Sequence, residues 1–391
     1  MRVLISGAGI AGSTLAYWLA RHGMTPTLVE QAPRLRTGGY VIDFWGAGFE
    51  VASRMGLLSD LTRDGYAVRE VRVVGRDGRK ISGFPAAAFA QAVNSGFTSL
   101  PRGDLAAALY RAIGESTETI FGDTVTRMDQ TPDDVRVTFE HHRPRTFDLV
   151  VGADGLHSRV RELIFGPESR FERYLGIKVA AFEAEGYRPR DELVYMMYPQ
   201  VGQEVSRFSM RNDRTMFLFT FADRDPAVPT DLAAQKALLR ERFATSGWEC
   251  PQILDALDTA RDLYFDRVSQ IEMNDSWANG RVTLVGDAAS CVSLLGGQGS
   301  ALAMTAAYIL AGELRRAGGR HEESFARYQQ LFGPFVSTKQ RAARRFAGAF
   351  APKSTLSLFL RNKLFSPFSI GWIARLIAGR EFSDRITLPD Y

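Results

Sequence analysis

The first thirty residues constrain this chain more than any other stretch. Arg2-Val3-Leu4-Ile5-Ser6 is a short apolar run suited to a buried parallel strand, and Gly7-Ala8-Gly9-Ile10-Ala11-Gly12 follows without a spacer. Residues 13–22, rich in Ala and Leu, predict a helix that stops at Gly23; Thr27-Leu28-Val29 is a second apolar run, closed by the acid Glu30. A G-x-G-x-x-G turn between strand and helix, with an acid at the end of the next strand, is a dinucleotide-binding arrangement. Gly7 permits the tight turn, Gly9 lets a pyrophosphate approach the backbone, and Gly12 lets helix and strand pack closely. The helix N-terminus offers N–H groups and partial positive charge to phosphates. Glu30 can accept hydrogen bonds from both ribose hydroxyls, and its charge repels a 2′-phosphate. The turn therefore suits FAD or NAD rather than NADP.

The chain has 391 residues, 45% hydrophobic and 24% charged, enough for one large or two moderate domains. Its net charge of +4 is interspersed except at Arg341, Arg344 and Arg345, which read as a solvated helix face. No basic stripe interleaved with aromatics points to nucleic acid. Cys250 and Cys291 are the only cysteines, so no disulfide framework is expected, and the five histidines lack metal-ligand spacing. His141-His142 reads as a solvated hairpin pair. No run approaches the roughly 20 apolar residues that span a bilayer. The chain opens directly on a strand, so no signal peptide is expected. These features predict a reduced, cytoplasmic protein, expected to be a monomer.

Further along, the pattern predicts helices over 48–55, 105–113 (with Asp104 as N-cap), 158–164, 232–243, 300–317 and 321–346. Between residues 174 and 271 the texture changes to crowded strand-like runs, read as a mixed sheet with helical cover. Met196, Met210, Phe217 and Phe219 belong to this sheet. Singly each reads as core; as a set, one alternating face suits an apolar pocket for a flat aromatic molecule. Residues 356–378 are amphipathic. Packing on the protein body is the plain reading, with a lid, a partner surface or a membrane-surface helix as alternatives.

Two more glycine–acid motifs follow apolar runs: Gly152-Ala153-Asp154-Gly155-Leu156-His157-Ser158-Arg159-Val160-Arg161 and Gly286-Asp287-Ala288-Ala289, with Gly297-Gln298-Gly299 about ten residues on. Both acids fall at strand C-termini, where parallel α/β sheets bind ligands. With these three motifs in this order, residues 1 to about 315 resemble the flavin-dependent aromatic monooxygenases of the para-hydroxybenzoate hydroxylase type. More narrowly, Tyr17-Trp18-Leu19, Leu100-Pro101-Arg102-Gly103-Asp104-Leu105, Tyr308-Ile309-Leu310-Ala311-Gly312-Glu313-Leu314 and Leu388-Pro389-Asp390-Tyr391 resemble tetracycline-inactivating monooxygenases and polyketide hydroxylases.

The resemblance implies an α/β fold: a Rossmann-like FAD-binding domain, an inserted mixed β-sheet substrate domain and a C-terminal helix. The expected FAD-binding parts are residues 1–68, 101–173 and 272–350; the substrate parts are 69–100 and 174–271; the bridging helix and tail are 351–391. It also implies site roles. Gly7, Gly9, Ala11 and Gly12 surround the FAD pyrophosphate, and Glu30 with Gln31 the adenosine ribose. The backbone at Val125 lies near adenine, and Arg102 reaches the phosphate and ribityl region. Asp154 serves the pyrophosphate region and NAD(P)H, Asp287 the ribityl chain, and Gly297, Gln298, Gly299 and Ser300 the flavin ring. A helix-capping acid is the alternative for Asp154, and a surface arginine for Arg102. Leu294 and Gly296 join Met196, Met210, Phe217 and Phe219 as candidate substrate contacts.

The implied chemistry is hydroxylation of an aromatic or polyketide-like molecule, a tetracycline among the candidates, by O2 through a flavin C4a-hydroperoxide, with bound FAD and transient NADPH or NADH. The flavin carries the reaction, so no catalytic triad and no metal is expected. One departure stands out: the family's His or bulky aromatic and its Pro, three and seven residues after the Gly-Asp acid, are replaced by Ser290 and Leu294, and Ser293 is not proline either. That departure leaves open an FAD-dependent reductase or dehydrogenase on the same fold; a separate alternative is a non-catalytic flavoprotein that senses redox state or binds a partner through the C-terminal helix. A flavin-dependent halogenase is the weakest alternative, since no W-x-W-x-I-P motif is present.

Overall fold

The computed structural model describes residues 1–35, 40–87, 96–115, 117–294, 297–350, 352, 354–364 and 386–391. Two sheets dominate it. The first has six strands in the order Ala278–Asn279, Val282–Leu284, Leu149–Gly152, Arg2–Ser6, Thr25–Glu30, Glu118–Phe121. All its pairings are parallel except that of Ala278–Asn279. Its central strands are fully apolar because both faces are covered: Val3, Leu4, Ile5, Leu149, Val150, Val151, Val282 and Leu284 expose nothing. The helix Ile10–Arg21 packs beside Gly299–Arg316, where the Trp18 and Tyr308 rings meet edge to face at 4.9 Å.

The second sheet has seven strands in the order Tyr264–Ile271, Glu172–Glu185, Arg214–Ala222, Gln203–Ser209, Val194–Gln200, Glu70–Val74, Lys80–Pro85. It is antiparallel apart from the pairing of Val194–Gln200 with Glu70–Val74. The helices Leu232–Phe243 and Cys250–Thr259 cover one face. A two-stranded antiparallel ribbon, Val41–Trp45 with Phe97–Pro101, joins the two cores. Ile42 and Phe44 point into the core of the first sheet, while Val41 packs against the second. A smaller antiparallel sheet joins Val125–Gln130, Val135–Phe139 and Arg145–Phe147.

Several local expectations need correction. The helix expected over 105–113 spans Arg102–Ile113 and is entered through Pro101, so Asp104 lies inside it and caps nothing. Pro101, with φ of −59°, sets the chain direction instead. His142 is no free hairpin residue: its Nδ1 lies 2.6 Å from a carboxylate oxygen of the buried Asp123. Helix Cys250–Thr259 and strands Phe97–Pro101 and Tyr264–Ile271 were not anticipated. Of the segment 356–378, helix Thr355–Leu364 is described and residues 365–378 lie outside the described residues.

The chain end is anchored. The Tyr391 hydroxyl donates to a Glu313 carboxylate oxygen at 2.7 Å, and the Pro389 carbonyl accepts from the Tyr308 hydroxyl and from Arg54, each at 2.8 Å. No helix among the described residues is long and apolar enough to cross a membrane.

Candidate active site

Parallel register brings the three glycine motifs to one edge. Ser6 pairs with Val29 and with Gly152, and Gly152 pairs with Leu284, so Gly7, Glu30, Asp154 and Asp287 all follow aligned strand ends. Cross-strand bonds continue past the strands: the amides of Gly7, Ala153 and Val285 donate to the carbonyls of Val29, Ser6 and Gly152 at 2.7–2.8 Å.

Within the first turn the glycines divide by surroundings. A Cβ on Gly12 would lie 1.9 Å from the Gly7 carbonyl oxygen, so that position is filled by backbone. A Cβ on Gly9 would meet nothing within 4 Å. Gly9 is the N-cap of helix Ile10–Arg21 and supplies no side-chain cap, so the helix end opens onto space. Ala11 is buried in the first helical turn. Glu30 is held from both sides, one carboxylate oxygen accepting from the Ala8 amide at 3.0 Å and the other from the Ala32 amide at 2.9 Å. Exposed Gln31 follows it, and Val125 is fully buried at the start of its strand, paired with Phe139.

At the third motif Asp287 begins the short helix Asp287–Ser290. Burial pushes its carboxyl above the usual carboxylate range; the Arg102 charge and a hydrogen bond with the Cys291 thiol offset part of this. The Arg102 amide donates to the Tyr40 carbonyl at 3.0 Å, which places Tyr40 beside this group. Burial likewise pushes the Tyr40 hydroxyl up to about 12, and the Tyr264 hydroxyl well above its ordinary value. The two rings are 6.0 Å apart. Asp287, Tyr40 and Arg102 are partly exposed and Tyr264 is 41% exposed, so this group borders open space.

The following loop carries the replaced residues. Ser290 is buried at the end of the short helix. Ser293 is buried with φ of 88°, a value proline cannot adopt, and its hydroxyl has no partner among the described residues. Leu294 packs against the cluster of Ile177, Val179 and Val268 in the second sheet. Gly296 lies outside the described residues. Gly297 has φ of 62°, Gln298 is the N-cap of helix Gly299–Arg316, Ser300 is in its first turn, and a Cβ on Gly299 would again meet nothing within 4 Å.

The second motif is built around a helix end. Asp154 accepts from the Ser158 hydroxyl at 2.5 Å and from the Val160 amide at 3.0 Å, and Ser158 caps helix Arg159–Phe165. The capping alternative describes this geometry. Beside it, His157 lies between Glu168 at 3.0 Å and Asp266 at 3.3 Å; hydrogen bonds to Asp266 and Glu168 push its imidazole up to about 10.

The second sheet reverses part of the expected pocket face. Met196, Phe217 and Phe219 are buried beneath the two covering helices, against Leu239, Phe243, Ile253 and Leu257. The face toward the first sheet instead carries Tyr195, Phe208, Met216 and Leu218, with Met210 at its edge, packed on Tyr40 and Val41. Of the six candidate contacts, Met210 and Leu294 stand on the crevice side and Met196, Phe217 and Phe219 do not. The cause is that Arg214–Ala222 is apolar on both faces, so its period gives no phase.

Comparison with known proteins follows this geometry. The chain matches the FAD binding domain family over residues 1–331. It is 30% identical to a flavin-dependent monooxygenase of Legionella longbeachae, covering 100% of this chain and 98% of the relative. The chain belongs to the FAD-binding family of flavin-dependent monooxygenases. This monooxygenase is also 42% identical over 350 residues to an uncharacterized protein of Mycobacterium tuberculosis, covering 86% of this chain and 91% of the relative. The crystal structure of tetracycline destructase Tet(51) superposes with a TM-score of 0.85 at 31% identity, covering 100% of this chain and 99% of the other.

The residues present suit the family's FAD. The opening at Gly9, the fixed Glu30 carboxylate, the enclosed Asp287 with Arg102, and the open helix start at Gly299 lie along one edge of one sheet. Tyr40, Tyr264 and Cys291 of the monooxygenase had no sequence pattern to mark them. Arg161 and His157 stood inside the second motif, but only the fold shows what they join.

Proposed function

We propose that this monooxygenase hydroxylates a polycyclic aromatic or polyketide-like molecule, with a tetracycline as the first candidate and NADPH or NADH as reductant. The observation that carries the reading is the group of Arg102, Asp287, Tyr40 and Tyr264 beyond the strand ends of the first sheet, which keeps accessible surface, as do the half-buried Leu218 and Leu294 on the near face of the second sheet, with fully buried Phe208 and Met216 as the packing behind. End-to-end likeness to tetracycline destructase Tet(51) supports the substrate class. Overall, substrate, O2, NAD(P)H and a proton give hydroxylated product, water and NAD(P)+.

Bound FAD supplies the electron transfer from nicotinamide to oxygen and the activation of oxygen. The protein's part is to bind, orient and exclude water. Gly7, Gly9, Ala11 and Gly12 shape the pyrophosphate cradle, and Glu30, with Gln31 beside it, takes the ribose hydroxyls. The Val125 backbone borders adenine. Arg102 and Asp287 hold the phosphate and ribityl region, and Gly297, Gln298, Gly299 and Ser300 bring a positive helix end to the ring. Asp154 supports this region by fixing a helix start, and residues nearby receive NAD(P)H. Leu294, Leu218 and Met210 shield the reacting edge from water. In this reading residues 69–100 and 174–271 form the substrate unit, residues 1–68, 101–173 and 272–350 the FAD unit, and 351–391 a bridge between them. A cytoplasmic monomer suits a consumer of NAD(P)H.

The test is NADPH oxidation by the purified flavoprotein in air, with and without a panel of aromatic polyketides including tetracyclines, with products followed by mass. Faster oxidation with a product one oxygen atom heavier is expected. Oxidation unaffected by the panel, or accelerated without any oxygenated product, argues against the reading.

A further inference from the structure

Strand Val41–Trp45 has the apolar sequence of a buried element except at its centre, where Asp43 stands. Its phase is settled by its neighbours. Ile42 and Phe44 are buried in the core of the first sheet, whereas Val41, two residues from Asp43, packs with Tyr195 and Leu218 of the second. Asp43 therefore shares the crevice side of the ribbon with Val41. It retains exposed surface, yet protein surrounds it closely enough that burial raises its carboxyl above the usual range. Across the ribbon, the hydroxyl of buried Ser99 donates to it at 2.6 Å and fixes its position. On the facing sheet Tyr195 lies within reach of the Asp43 charge.

The charge at Asp43 is unbalanced. Among the described residues no cationic side chain lies within ion-pair distance of it. Acids on the facing sheet already have partners: Glu204 is matched by Arg361 of helix Thr355–Leu364 in a buried pair, with side chains 6% and 7% exposed, Glu183 pairs with Arg214 and Asp266 with His157. The carboxylate is held by Ser99, exposed, and without a protein cation, so it is open to one carried by a ligand. Ser99 already supplies a neutral donor, so positive charge is what this position lacks.

We propose that Asp43 is a specificity-determining residue of the substrate crevice, accepting a protonated amine on the edge of the substrate's ring system. The inference rests on the substrate class proposed above and narrows it to members that carry a basic nitrogen. Tetracycline carries such a group, a dimethylamino substituent, and dedimethylaminotetracycline lacks it.

The test uses the flavin-loaded protein without NADPH and follows binding of these two compounds through the absorption of the bound flavin. Wild type is expected to bind tetracycline about tenfold more tightly than its analogue, the scale of one charge-assisted hydrogen bond. Asp43→Asn, which preserves size and the Ser99 contact, should abolish that preference while leaving the analogue's affinity within about twofold, below the step of one neutral hydrogen bond. Asp43→Glu, which preserves charge, should retain part of it. Equal weakening of both compounds in Asp43→Asn, or no preference in wild type, overturns the assignment while leaving the substrate class intact. Failure of wild type to bind either compound overturns the tetracycline reading and this inference with it.

Discussion

Arg161, fully buried on the helix that follows the second glycine motif, donates through Nη1 to the carbonyl oxygen of Ala288 at 3.1 Å, on the short helix of the third. The same guanidinium bonds the Leu156 carbonyl at 2.7 Å and a Glu168 carboxylate oxygen at 2.8 Å. It thus ties together two strand ends that are far apart in sequence and fixes Asp287, the neighbour of Ala288. Burial pulls the guanidinium below its ordinary pKa, and the Glu168 charge partly restores it.

Arg161→Met removes three bonds but fills most of the space. Of the three partners only the Ala288 carbonyl belongs to a fully buried residue, where a lost bond to a charged group costs roughly 1.5–3 kcal/mol, while Leu156 and Glu168 keep access to water, so a loss of about 2–4 kcal/mol is expected. Thermal melting of the flavin-free protein reads that loss. Flavin retained per chain after purification should fall as well. A destabilised protein with full flavin content would show that the Ala288 bond does not position Asp287.

Asp287 itself separates binding from folding. Its carboxyl is destabilised by burial, so Asp287→Asn should leave the apo protein as stable as wild type or slightly more stable. FAD affinity should nonetheless drop at least about tenfold, the scale of one charge-assisted hydrogen bond lost. Equilibrium dialysis with FAD measures it. Unchanged affinity would remove Asp287 from the ribityl site.

The first turn offers a contrast between two glycines. Gly12→Ala places a methyl 1.9 Å from the Gly7 carbonyl oxygen, where only backbone movement can relieve the clash, and should cost several kcal/mol in apo stability. Gly9→Ala meets open space and should fold normally, yet lose FAD because the methyl occupies the approach of the pyrophosphate. Paired melting curves and flavin contents check this. Full flavin retention in Gly9→Ala would move the phosphate site elsewhere.

The fold was legible in the sequence where spacing and backbone chemistry determine it. The strand–glycine–helix–strand unit ending at Glu30 needs that order of residues, and helix Leu232–Phe243 was read to its boundaries. Two kinds of information were not local. The phase of Arg214–Ala222 depends on which side the covering helices occupy, so Phe217 and Leu218 could not be told apart by period. Tyr40 and Tyr264 meet only because the edge strand of one sheet is laid against the ribbon leaving the other. Asp43 was visible as an acid within an apolar run, but its facing partners follow from the ribbon's alternation between two cores.

His157 predicts a dependence on pH. Asp266 and Glu168 raise its imidazole from 6.5 to about 10, so the folded state favours the protonated ring. A raised value means the stabilisation is fully present below 6.5 and is lost as pH rises toward about 10. The ring is half exposed, so solvent screens part of the effect. Melting temperature should fall more steeply between pH 7 and 10 in wild type than in His157→Gln. Parallel slopes would show that Arg161 and Arg267, which also pair with Glu168, carry the network without the histidine.

Phe217 and Leu218 are neighbours on one strand and point to opposite worlds. Phe217 is fully buried, its ring 4.9 Å from that of Phe182 and 4.8 Å from that of Tyr187. Phe217→Ala should cost about 3–5 kcal/mol through the cavity it leaves. Leu218 is half-buried on the crevice face, over the clusters that Leu294 and Tyr40 also pack against. Leu218→Ala should cost less, about 1–2 kcal/mol given partial burial. Its main effect should be on substrate: a higher KM and more NADPH oxidised without product, because a shielding side chain has gone from the wall. Phe217→Ala, if rescued by working at low temperature, should keep both the KM and the ratio of product to NADPH. The reverse pattern, with Phe217→Ala changing substrate handling and Leu218→Ala silent, would put the substrate on the helix-covered face and undo the assignment of the crevice.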